Sequence, residues 1–213
     1  MRLFQTTAAQ LGQRLLPRNP ARAATTEAAR RRLDVIYDDV DKEASKLEAL
    51  HKGRLQCRRG CASCCIDDMT VFDVEAKRIR RNHAELLTTG QPHAHGACAF
   101  LDADKSCRIY HDRPYICRNH GLPLRWDDHE QEAEMRDICP LNDDGSDWLV
   151  SLPKEELFEL GPTDNRLAAL QFDVDGDSSA DSELPQPERG DPEEPSRVKL
   201  RDLFAHKAPP SPA

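Results

Sequence analysis

The sequence predicts a mainly α fold: a small, irregular, α-rich domain with short strands and loops organised around a cysteine metal site. Three observations predict it. One long stretch carries apolar residues at helical spacing, and eight cysteines follow in a region without clear periodicity. Hydrophobic residues make up only 38% of the chain against 32% charged, so the core is thin and needs further cohesion.

The helical stretch comes first. Leu33, Ile36, Val40, Ala44, Leu47 and Leu50 recur at three- and four-residue steps and paint one apolar stripe. Thr25 or Thr26 is placed to cap the start, Glu27 suits the first turn and Gly53 can end the helix, giving a span from Thr26 to Lys52. Asp34, Asp38, Asp41, Lys42, Lys46 and Glu48 occupy the other face, so the stripe should lie on the core of the same domain. A second helix is expected from about Val74 to Leu87. From Gly90 to Leu124 the chain is dense in Gly, Pro and Asp. There Ala99–Leu101 and Cys107–Tyr110 read as short extended pieces joined by a turn at Asp102–Lys105. Pro153 to Leu160 reads as a short helix with proline in its first turn, and Asp164 to Leu170 as a last one.

These elements divide the chain into a flexible basic arm (1–25), a cysteine-cluster domain (26–171) and an acidic Pro/Ser-rich tail (172–213) expected to be disordered. In the arm, Arg2, Arg14, Arg18 and Arg22 precede the first acidic residue, Glu27. In the tail, Asp173-x-Asp175-x-Asp177 begins like a calcium loop. Ser178 and Leu184 stand where the turn glycine and the bidentate glutamate belong, so it carries little weight.

Composition also excludes some functions. The formal net charge of -8 argues against binding nucleic acid through its phosphates. No run approaches the ~20 apolar residues of a membrane helix. The Arg-rich start loosely resembles an organelle transit peptide, but a flexible arm is the preferred reading, and no secretory signal is present. The expected location is therefore cytoplasmic and reducing, where eight cysteines are poor candidates for structural disulfides. A protein partner is left open, and so is enzymatic activity: no Ser/His/Asp pattern, phosphate loop or paired-carboxylate arrangement stands out.

The first cysteine group is Cys57-Arg-Arg-Gly-Cys61-Ala-Ser-Cys64-Cys65. Thiolates at this spacing can converge on one ion with a single turn of backbone, and Gly60 permits the tight bend. In a helix, Cys57, Cys61 and Cys64 would share a face, whereas adjacent Cys64 and Cys65 would diverge. The pair therefore suits a shared cluster or two sites, unless one of them is simply a buried apolar residue. Cys98, Cys107, Cys117 and Cys139 form the second group. Together the eight suffice for one cysteine-rich cluster with spares or for two four-thiolate sites. Arg58, Arg59, Arg108, Arg113 and Arg118 lie nearby to offset the charge; Arg113 is expected to be structural or functional, Arg58 and Arg59 surface residues. His51, His83, His111, His120 and His129 are candidate replacement ligands, His120 the best placed, and His93-x-His95 suits adventitious zinc.

Cys57-x3-Cys61-x2-Cys64-Cys65, Cys98-x-Phe-Leu-Asp, Cys107-x-Ile-Tyr-x-x-Arg113-Pro114-x-x-Cys117-Arg118 and Cys139-Pro140 agree in order and spacing with one known pattern. The chain here resembles the YkgJ family of cysteine-cluster proteins over about residues 55 to 141. The resemblance implies zinc or iron chelation by these cysteines. Two departures are the first gap, where the family usually has two residues, and Asn119–Pro123, where many members carry an aromatic–proline pair. A similar cluster occurs in flagellin lysine N-methylases. The Cys57-x3-Cys61-x2-Cys64 spacing also resembles radical S-adenosylmethionine enzymes, but the chain is too short for their barrel and Ser63 replaces their usual aromatic.

The expected function is a metal-binding cysteine-cluster protein, iron–sulfur or zinc, with a redox or protein-modification role open. Thiolate softness suits both metals; the many thiolates and the resemblance favour iron–sulfur. The alternatives are a thiol-based redox sensor using Cys64 and Cys65, or a zinc-stabilised interaction module without catalysis.

Overall fold

The computed structural model describes residues 20–128, 130–179 and 194–204. The expected arm at 1–19 and the tail segments 180–193 and 205–213 lie outside these residues. Helix accounts for 47% of residues and strand for 12%, in six helices and two small sheets, which is the irregular α-rich fold that the sequence predicts.

Helix α1 runs Pro20–Leu50. It begins earlier than the Thr25/Thr26 cap suggested, because proline at the first position already has helical φ and lacks an N–H that would otherwise go unpaired. Leu33, Ile36, Val40, Ala44 and Leu47 are buried as their period required, and Tyr37 joins them. Leu50, assigned to the same stripe, is 53% exposed, since the chain turns away at His51–Arg54.

The stripe of α1 packs against the last long helix, α6 (Gly161–Ser179), through Leu167 and Leu170, with Phe72, Val74, Tyr115, Leu122 and Phe158 completing this first core. Its polar face is not simply solvated. Asp34 pairs with Arg78, Asp39 with Arg166, and Asp41 with Arg118.

Strand β1 (Thr70–Phe72) leads into α2 (Asp73–Asn82) and α3 (Ala84–Thr89), which replace the single helix expected over 74–87. The break falls at His83, whose ring bonds Asp112 at 2.9 Å. Glu75 of α2 is buried and accepts hydrogen bonds from the Tyr37 hydroxyl (2.8 Å) and the Tyr115 (2.7 Å) and Phe72 (3.2 Å) amides. Burial raises its pKa even so.

After the short helix α4 (Tyr115–Arg118), β2 (Leu124–Asp128) and β3 (Ala133–Asp137) form an antiparallel hairpin that the periodicity did not reveal. A one-turn helix, α5 (Trp148–Ser151), follows. The helix expected over Pro153–Leu160 is a correction: only a 3-10 turn at Lys154–Glu156 forms. Then β4 (Phe158–Glu159) pairs parallel to β2, with the Phe158 amide donating to the Pro123 carbonyl (2.8 Å) and its ring buried. Asp164–Leu170 is helical within the longer α6, so the boundary drawn after 171 falls inside a helix.

The expectation of a disordered segment over 172–213 fails for residues 194–204. Strand β5 (Arg197–Lys199) pairs antiparallel with β1, Val198 opposite Val71. Leu200, Leu203 and Phe204 then fill a second core with Val71, Ala76, Ile79, Ala99, Phe100 and Ile109. Four apolar residues within seven positions bury enough surface to hold this acidic-flanked stretch in place.

Candidate metal centre

Between α1 and β1, residues 51–69 form neither helix nor strand. Tight turns shape this loop, with the Cys61 amide on Arg58 O (2.9 Å) and the Cys65 amide on Ala62 O (3.0 Å). The segment is thus not the helix that would place Cys57, Cys61 and Cys64 on one face. Gly60 sits at φ +84, the left-handed conformation its position suggested.

Cys57 is exposed and lies against two later segments. Asn142 Nδ2 donates to its Sγ at 3.6 Å and to Gly121 O at 2.7 Å; Asn142 Oδ1 accepts from the Gln56 amide (2.7 Å), and the Asn142 amide bonds Cys139 O (2.7 Å). One side chain therefore ties Cys57 to the Cys139 turn. Gly121, at φ +98, makes room: a Cβ there would stand 2.5 Å from Cys57 Sγ.

Cys98 and Cys107 belong to a different neighbourhood. The Cys98 amide donates to Cys65 O (2.9 Å), and Cys107 bridges to Leu101. Asp102–Lys105 forms the expected turn between them, with Asp102 Oδ1 accepting from the Ser106 amide (2.7 Å). Both cysteines pack on the second core. Arg201 bonds the carbonyls of His93 and Ala97 and the Asp67 carboxylate, so the C-terminal segment clasps this loop. Cys117, on α4, lies 3.8 Å from Met69 Sδ.

The arginines sort differently from expectation. Arg118 is the buried one: it donates to both Asp41 oxygens (2.8 and 2.7 Å) and to the carbonyls of Arg113 (2.8 Å) and His111 (2.9 Å), and stacks on Tyr37. It fixes the turn that delivers Cys117. Arg113 stacks on Tyr110 at 3.8 Å, and its positive charge favours the thiolate forms of Cys64, Cys107 and Cys117. Arg59 forms an exposed ion pair with Asp104, in keeping with a surface role.

All eight cysteines carry free thiols. Cys65 donates a hydrogen bond to Cys64, which lowers the Cys64 pKa to about 6 against the effect of burial, with His120 and Arg113 adding to the fall. The same bond, burial and the negative charge of Cys64, Cys98 and Cys117 push Cys65 up. Burial raises Cys117 to about 12, reinforced by Cys98 and Cys107. Cys57 is raised by desolvation, opposed by Asn142, with Cys61, Cys139 and Cys64 adding to the rise. Every candidate thiol thus lies within electrostatic reach of another.

Reach is not coordination. Among the described residues no three His, Cys, Asp or Glu side chains are arranged to hold an ion. Zn–S bonds of about 2.3 Å demand sulfurs nearly in contact. The donor chemistry, eight thiols, is that of a thiophilic metal.

The histidines mostly have other partners. His51 is buried, bonded to Glu156 O (2.8 Å) and packed on Trp148; His83 bonds Asp112; His95 lies 3.4 Å from Asp67. The charge of His120 bears on Cys64. His129 lies outside the described residues.

Residues 56–140 match the family model CxxCxxCC, described as "Putative zinc- or iron-chelating domain". Over these residues the chain is similar to that family. All eight cysteines fall within the matched span. No curated protein and no solved structure gives a significant match. Among the described residues no helix is long and apolar enough to cross a membrane. Asn142, Met69 and Arg201, all in contact with the cysteine loops, escaped the sequence reading. Asn142 was signalled only by following Cys139-Pro140, and Arg201 by nothing local.

Proposed function

We propose that the chain binds metal through Cys57, Cys61, Cys64, Cys65, Cys98, Cys107, Cys117 and Cys139, with iron–sulfur favoured over zinc, and that binding completes the fold around the cysteine loops. The carrying observation is the gathering of eight free thiols from four separate stretches of chain into mutual electrostatic reach. Residues 51–69 have little regular structure to hold them, and metal–thiolate bonds can supply that cohesion as folding free energy. Bound iron–sulfur would supply one-electron chemistry, and bound zinc cohesion alone. Arg113 offsets the thiolate charge and Arg118 positions the Cys117 turn. A redox or protein-modification role in the cytoplasm is compatible with free thiols.

Anaerobic purification with absorption spectroscopy and metal quantification, on wild type and Cys61→Ser, tests this. Visible iron–sulfur absorption that weakens in the variant is the expected result. Stoichiometric zinc in a colourless protein would overturn the iron–sulfur preference, and a protein that takes up neither zinc nor iron under anaerobic loading would overturn metal binding.

One observation favours a second reading, a thiol-based sensor: Cys64 has its pKa lowered to about 6 beside the hydrogen-bonded Cys65. It predicts rapid alkylation of Cys64 in the native protein, whereas protection by bound metal would contradict it.

A further inference from the structure

Residues 91–98, which lead the chain into Cys98, form neither helix nor strand, so their backbone groups must find partners elsewhere. Two distant residues supply several of them. The His93, Ala94 and Ala97 carbonyls accept from the guanidinium of Arg201 at 2.8, 3.3 and 2.8 Å. The Gly96 amide donates to Asp67 Oδ2 (3.0 Å), and Asp67 Oδ1 accepts from Arg201 Nε (2.6 Å). Arg201 and Asp67 keep only 15% and 14% of their side-chain surface exposed, so water cannot readily stand in for either partner.

Arg201 lies within a strap, residues 196–204, that residues 180–193 separate from α6 in the sequence. The strap is pinned at both ends. At one, the Ser196 amide donates to Asp175 Oδ2 (3.1 Å) and the Ser196 carbonyl accepts from the Asp73 amide (3.1 Å). At the other, Leu203 and Phe204 enter the second core, the Phe204 ring 5.0 Å from that of Phe100. Between them the Leu200 amide donates to Met69 O (2.9 Å), and Lys199 pairs with Asp68 (3.1 Å). One short segment therefore holds the first cysteine loop where it leaves Cys65, at 67–69, and the Cys98 loop at 93–97. A planar guanidinium fork can serve a carboxylate and several carbonyls together, which a lysine ammonium cannot span. The Asn142 contacts around Cys57, Gly121 and Cys139 involve no strap residue.

We propose that Arg201 is a positioning residue for the cysteine region, and that the strap and the Cys98 loop open as one unit while the Cys57–Cys139 side stays in place. The hold of the strap on the loop stands on these contacts alone; its bearing on metal rests on the metal-binding reading above. With the strap closed, Cys98 and Cys107 pack on the core that Leu200, Leu203 and Phe204 complete. With it released, the carbonyls of 93–97 and the Asp67 carboxylate lose their donor, and both cysteines lose a wall. Metal held there should then leave faster.

Hydrogen–deuterium exchange read by mass spectrometry tests this on the full chain, purified anaerobically, as wild type, Arg201→Ala and Arg201→Lys. Arg201→Ala is expected to speed exchange over 93–98 by about tenfold or more, with 139–142 and α1 unchanged. Arg201→Lys should speed it less, since lysine keeps the charge opposite Asp67 but not the fork. Release of bound metal to excess chelator should quicken in the same order. Unchanged exchange over 93–98, or equal acceleration across 139–142 and α1, would overturn the proposal. Selective exchange in a protein that takes up no metal would uphold the strap and sink only the metal-binding reading. If Arg201→Ala does not fold, wild type decides: 196–204 and 93–98 should exchange together, at a lower opening free energy than α1. Opening only along with α1, or release of the strap while 93–98 stays protected, would overturn it.

Discussion

The α1–α6 core and the cysteine loops are built from the same chain by opposite means. In the core, Leu47, Leu167 and Leu170 have no exposed surface, and the buried carboxylate of Glu75 accepts three hydrogen bonds. In the loops, seven cysteines are half-buried and one is exposed, and the backbone is held by isolated turns and by single residues such as Asn142 and Arg201. The comparison teaches that helical burial here is self-sufficient, whereas the thiol region has the donors for a fold-completing ligand but few apolar contacts of its own.

Substitutions can break that contrast. The largest effect is expected from Leu47→Ala, which opens a cavity in the first core and should cost about 2–5 kcal/mol by urea unfolding. Metal content of the still-folded protein should not change, since no cysteine belongs to the core cluster that holds Leu47; a loss of metal would mean that the two regions are coupled. Gly121→Ala comes next. It forces a left-handed conformation on alanine, costing about 1–2 kcal/mol, and sets a Cβ 2.5 Å from Cys57 Sγ. Metal quantification should show reduced metal content, because Cys57 is displaced.

The acid range offers a finer contrast within the helical region. Burial works against ionisation of Asp112, but Asn82, Arg78 and His83 together hold its pKa below the usual value. Its contribution to stability is therefore present above the unfolded pKa of about 3.9 and lost as pH falls through the lower folded value. Glu75, raised by burial, acts the other way: its contribution is complete below the unfolded pKa of about 4.3 and is lost as pH rises through its folded value. Asp112→Asn should flatten the loss of stability below pH ~4, measured as the unfolding midpoint against pH. The smallest effect belongs to Arg59→Ala, which removes only an exposed ion pair and should leave the midpoint unchanged.

Legibility follows the same division. The stripe on α1 was readable because period is a local signal, and the glycine at position 60 because a tight turn demands it. The break at His83 was not, since it depends on Asp112, which is 29 residues away. The segment 194–204 was obscured by its acidic, proline-rich surroundings, although Val198, Leu200, Leu203 and Phe204 stood in the sequence as its apolar anchor. At the thiols, residue type and order were legible from spacing. Their partners were not, because Asn142 and Arg201 reach them through tertiary contacts that leave no local pattern. The role of Arg118 was likewise hidden: its partner Asp41 lies on α1, in what read as a solvated face.

The central claim is that metal bound by the cysteines completes the loops without being needed for the helical core. Hydrogen–deuterium exchange on the anaerobically purified protein, before and after chelation, tests it most directly. The account predicts that chelation removes protection from amides of 51–69, 98–107 and 139–142 while α1 and α6 keep theirs. Identical exchange in the two states would contradict it.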